Sequence, residues 1–196
     1  MPPVARQIPM FAAEPPQEPL PYGRWGEALA EQFAARCETP IGDITWFPDR
    51  TWAGRTYVPA TAPSDEGGEW FGFVSYTREH EGAQATDFQA EADFTEETAA
   101  MNPDWTLDLS DHEIGHWRGT EGRRGIITLV WGVSLVANGA AATAELGPHT
   151  TDQCELIDDR FTLVSLDAYT GDYVEVLLFG ARGAELARES LYEDED

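Results

Sequence analysis

Residues His112-Glu113-Ile114-Gly115-His116 spell H-E-x-x-H. On an α-helix, positions i and i+4 share a face, so both imidazoles reach one zinc ion and the glutamate polarises the metal-bound water. The chemistry this predicts is zinc-dependent hydrolysis, with His112 and His116 as ligands and Glu113 as the catalytic base. It requires a helix through the motif. Ser110 or Asp111 supplies an N-cap, but "WTLDL" just upstream alternates like a strand, and Gly119 and Gly122 stop a helix soon after. Gly122 also stands where the extended motif places a third histidine. Glu145, His149 and His80 are the other third ligands on offer, none at a diagnostic spacing. The stretch therefore reads first as a strand-to-strand connection, with a zinc hydrolase as the alternative.

Other constellations are poorer. There is no Gly-x-Ser-x-Gly elbow, P-loop or dinucleotide fingerprint. "GDYVEV" and "DFQAEADF" put carboxylates on alternate strand positions. Such pairs do acid–base work inside a barrel but are far commoner on an outer face. Cys37 and Cys154 lie among apolar neighbours and are expected to be free and buried. Trp52, Trp70, Trp105, Trp117 and Trp131 are the aromatic positions that would line a pocket for a small apolar ligand, if they are not simply core.

Charge restricts the partners. The 196 residues carry 36 Asp and Glu against 12 basic residues, all Arg, for a net charge of −24. Such a chain repels nucleic acid and anionic membranes, so neither is expected as a partner. The acidity fits solubility, cation binding, or a basic protein partner as for an acidic inhibitor or immunity-type protein. No apolar run reaches the ~18 residues of a membrane span. The Pro-rich N-terminus lacks the apolar block of a signal peptide, and a cytoplasmic location is expected.

Four segments must position these groups. Residues 1–22 form an extended Pro-rich arm. Its Ile8, Met10 and Phe11 are expected to dock on the β domain or on a second copy, which would make a homo-oligomer. Residues 23–38 form an amphipathic helix, because Trp25, Leu29, Phe33 and Cys37 repeat at i+4. Residues 39–191 read as one antiparallel β domain of β-branched and aromatic segments, several of period 2, joined by turns such as "SDEGG", "ANG" and "YTGD". Residues 192–196 form a solvated acidic tail.

A repeat at an offset of 56 aligns 105–117 with 161–173, matching Thr106, Leu107, Asp111 and Gly115 to Thr162, Leu163, Asp167 and Gly171. It predicts a duplicated β-meander in which both segments are strand, turn, strand. Gly115-His116-Trp117-Arg118-Gly119 also resembles the strand opener of small ligand-binding calycin-type barrels. The fold class is thus all-β, an antiparallel barrel or sandwich carrying one N-terminal helix. The function expected from it is non-catalytic binding of a small apolar ligand in a barrel-type pocket, or of a protein partner, with no cofactor unless zinc.

Overall fold

A computed structural model describes residues 13–18, 24–119 and 122–192. Ile8, Met10 and Phe11 lie outside the described residues. The one helix among these, α1 (Gly26–Ala34), is shorter than the i+4 stripe. Its end tightens as Arg36 and Cys37 donate to the carbonyls of Phe33 and Ala34. Trp25, Leu29 and Phe33 are buried along one face, and Cys37 packs at its margin. Full burial of Leu29 and Phe33 contributes about 1.5–3 kcal/mol each.

Twelve strands follow among the described residues, and adjacent ones pair antiparallel. They are β1 (Thr45–Trp46), β2 (Arg50–Trp52), β3 (Arg55–Pro63), β4 (Glu69–Thr77), β5 (Thr86–Thr95), β6 (Leu107–Arg118), β7 (Arg124–Ser134), β8 (Gly139–Leu146), β9 (His149–Glu155), β10 (Arg160–Asp167), β11 (Val174–Gly180) and β12 (Glu185–Ser190). The first sheet is the meander β3-β4-β5 with β1 and β2 both paired to β3. The second runs β10-β7-β6, and the third β12-β11-β8-β9. The fold is therefore all-β, with one short helix among the described residues. Among the described residues the sheets are open and stacked, which answers to the sandwich expectation; no closed barrel forms.

Period-2 alternation explains the stacking. In the first sheet Val58, Ala60, Val74 and Tyr76 face α1, while Tyr57 and Phe73 face the second sheet. In the second sheet Ile127, Leu129, Trp131, Val164 and Leu166 turn toward the first. The intervening Val130, Phe161 and Leu163 pack on Val174, Val176 and Leu178 of the third. β7 and β10 are thus covered on both faces, and for that reason "GIITLVWGVS" reads as an almost unbroken apolar run.

Two expectations are corrected. Residues 161–173 do form a strand and a turn, with Ala168, Thr170 and Gly171 at positive φ. The Asp167 carboxylate holds that turn by accepting from the Ala168 and Val174 amides at 2.7 and 2.9 Å. Residues 107–118 instead form one continuous strand, paired with β7 throughout. The aligned segments therefore differ in conformation, and β6 and β10 flank the same strand. The calycin-like glycines, Gly115 and Gly119, sit at the end of this edge strand and open no barrel. Of the expected acidic tail, only Tyr192 is among the described residues; it donates its hydroxyl hydrogen to Asp167 at 2.5 Å.

Candidate functional site: a buried arginine in a cleft between sheets

The H-E-x-x-H stretch lies within β6. His112 pairs with Leu129 and Glu113 with Thr128; then Gly115 pairs with Ile127 and His116 with Ile126. Ile114 is therefore the extra residue of a β-bulge. Residues directly opposite each other in an antiparallel pair share a face. Leu129 and Ile127 face the first sheet, so His112 does too. Its ring meets Phe73 edge-on at 5.1 Å, and Nδ1 lies 3.8 Å from Asp93. Glu113 and His116 face the other way, 3.4 Å apart. An even spacing would have put both histidines on one face, and the bulge reverses this. The expected zinc geometry is not formed. Among the described residues no three His, Cys, Asp or Glu side chains are grouped so as to hold a metal ion.

The five tryptophans do not converge either. Trp131 is wholly buried in the second core, with Trp52 and Trp117 half-buried at that core's margin. Trp70 belongs to the first core, where its indole N–H donates to Thr39 Oγ1 at 2.9 Å. Trp105 lies before β6, near Leu107 and Leu109. Alternate positions in stacked sheets feed different cores, so similar residues are dispersed. Two of the alternating carboxylates are tied to arginines, Asp87 to Arg55 and Glu175 to Arg188.

The best-built polar site was not marked by any motif. A cleft of about 480 Å³ opens between β2, β8 and β9, lined by Arg50, Thr143, Cys154 and Ala141, with Pro15 and Pro16 of the arm as one wall. Arg50 is only 4% exposed. Its Nη2 donates to Asp152 Oδ1 at 2.5 Å. The same carboxylate accepts from the amides of Gln153 at 2.9 Å and Val164 at 2.8 Å, so it ties β9 to both β2 and β10. Two of the residues that line this cleft each carry a buried side-chain atom with no hydrogen-bond partner among the described residues: Arg50 Nε and Thr143 Oγ1. Leaving such a buried group unpaired costs about 1–3 kcal/mol.

The arm wall is held in place. Glu14 donates its amide to Thr51 O at 2.9 Å, bridging the arm to β2. The amides of Gln17 and Glu18 donate to the two Asp49 carboxylate oxygens at 3.0 and 3.2 Å. Asp49 is wholly buried, and that burial pushes its pKa up to about 6. Consecutive residues thus do two jobs: Asp49 fastens the arm, and Arg50 lines the cleft the arm walls.

Burial sets the ionisation of the groups around the cleft. Burial raises the Asp152 carboxyl, and Arg50 opposes the shift, so the pair stays locked together. Burial pushes the Cys154 thiol up to about 11, which keeps it protonated and non-nucleophilic at neutral pH. A separate carboxylate pair, Glu69 and Asp108, lies where β4 faces β6. Burial first, and then repulsion from Asp108, push Glu69 up to about 7. Comparison with known protein families, curated proteins and solved structures finds no match for this chain.

Proposed function

We propose that the protein is a non-catalytic binding protein, whose cleft takes a small, neutral, mainly apolar molecule bearing a carbonyl or hydroxyl oxygen. One observation carries this reading: among the described residues the buried Arg50 N–H at Nε has no acceptor and the Thr143 hydroxyl no partner, and both side chains line the cleft. A ligand oxygen placed there recovers the desolvation cost of both. The volume falls within the usual range of small-molecule sites, and Pro15, Pro16, Ala141 and Ile157 supply apolar wall.

Charge favours a neutral ligand. Asp152 already balances Arg50, Glu155 lies at the mouth, and the chain carries −24 overall. A carboxylate would meet repulsion, and an ammonium would face the guanidinium. Among the described residues no helix is long and apolar enough to cross a membrane. Both cysteines are free thiols, which fits a reducing cytoplasm.

The test compares a medium-chain methyl ketone with the carboxylate and the ammonium of the same chain length, by thermal shift and calorimetry. The ketone is expected to bind and raise the melting temperature, and the two ions are not. Thr143→Val should weaken ketone binding, and Ala141→Phe should abolish it by filling the cleft, both with unchanged circular dichroism. Equal binding of all three compounds, or ketone binding that survives Ala141→Phe, would refute the proposal.

A further inference from the structure

We infer that a second, independent surface docks a basic peptide segment: the groove formed by Phe94 and Met101 under a rim of Glu38, Glu66 and Glu96. The groove has a volume of about 520 Å³ and lies between the β3–β4 turn, the end of β5 and the chain just after α1. Its floor is apolar and open. Phe94 is 43% exposed and Met101 69%, so the two give the groove an adjoining apolar surface.

Phe94 is held by specific local structure. Its ring lies 5.3 Å from that of Trp70, which the Thr39 hydroxyl fixes in turn. Gly68 has φ +72°, and a Cβ there would fall 2.6 Å from the Phe94 ring and 2.4 Å from the Thr95 carbonyl. Only glycine lets the β3–β4 turn come this close while leaving one face of the Phe94 ring open.

Charge complementarity identifies the occupant. Glu38, Glu66 and Glu96 are exposed around the groove, and among the described residues none of them is in an ion pair. An arginine or lysine side chain can lay its aliphatic stem over Met101, place its cationic head on the Phe94 face, and meet the rim carboxylates. Neutral apolar ligands would leave the rim unused, and acidic ones are repelled. The partner is therefore a basic segment of another protein, with basic and apolar residues interleaved. This inference does not depend on the Arg50 cleft.

A fluorescently labelled peptide of alternating arginine and leucine provides the probe, read by anisotropy on the full chain. A chain this acidic attracts any polycation, so site and bulk charge must be separated. Glu38→Lys, Glu66→Lys and Glu96→Lys combined should weaken binding at least about tenfold. The combination Glu27→Lys, Glu79→Lys and Glu81→Lys makes the same change in net charge away from the groove and should cost far less. Phe94→Ser should weaken binding about fivefold, with circular dichroism unchanged and only a modest fall in melting temperature from the lost Trp70 contact. Equal losses in the two triple variants, no loss in Phe94→Ser, or no binding by the wild-type chain would each overturn the inference.

Discussion

Arg50 and Asp152 are 102 residues apart in the chain, yet Nη2 of one lies 2.5 Å from Oδ1 of the other, with both side chains 5% exposed. The pair joins the first sheet to the third. Because Asp152 also accepts from the Val164 and Gln153 amides, three donors depend on this one carboxylate.

Asp152→Ala should therefore be among the most destabilising single substitutions. It removes the carboxylate hydrogen-bonded to a buried guanidinium and leaves the Val164 amide unpaired, at a cost of about 3–5 kcal/mol. Asp152→Asn keeps an acceptor for one amide and should cost less. Urea unfolding measures both, and a loss below about 1 kcal/mol for Asp152→Ala would show that the pair does not hold the sheets together.

Acid should stabilise the protein over part of the pH range. The Asp49 carboxyl titrates near 6 when folded against 3.8 as a free side chain, and Glu69 near 7 against 4.5. Between those values the folded chain holds protons that the unfolded chain has released. Stability is then lowest above about pH 7, rises as the pH falls through 7 and 6, and gains no more below the unfolded values. Self-repulsion at −24 acts in the same direction. The double variant Asp49→Asn with Glu69→Gln separates the two effects, since only the titration of these carboxyls is removed. Melting temperature against pH should be distinctly flatter in that variant; identical slopes would contradict the assignment.

The bulge at Ile114 makes a prediction about metal. With His112 and His116 on opposite faces of β6, neither can complete the other's site. Zinc titration by calorimetry should give the same weak, non-stoichiometric response for the wild type, His112→Ala and His116→Ala. Tight one-to-one binding lost in both variants would mean that the strand refolds around the ion.

Much of the fold was legible because its signals are local. The Trp25-Leu29-Phe33 stripe predicted a helix facing a β core, and the β-branched and aromatic segments that follow, several of period 2, predicted antiparallel strands. The face of His116 was not legible, since one inserted residue reverses it and leaves no compositional mark. The repeat misled for a related reason. Four matching residues do not encode a turn when Asp167 makes it with two backbone amides and Asp111 lies in a strand. The Arg50 cleft was hidden because Arg50 comes from β2, whereas Thr143 and Cys154 come from the paired strands β8 and β9, far along the chain. Its one sequence cue, the charged Asp49-Arg50 between Phe47 and Trp52, resembles an ordinary turn.

The central claim is that Arg50 Nε–H awaits a ligand oxygen in the cleft. It is tested most directly by the arginine Nε–H signals in a ¹H–¹⁵N spectrum, assigned for Arg50 and followed while a medium-chain methyl ketone is added. Of the twelve arginines, Arg50 is expected to shift most, downfield and saturably, with the shift lost in Ala141→Phe. An unmoved Arg50 signal, or one that moves equally in Ala141→Phe, would contradict the account.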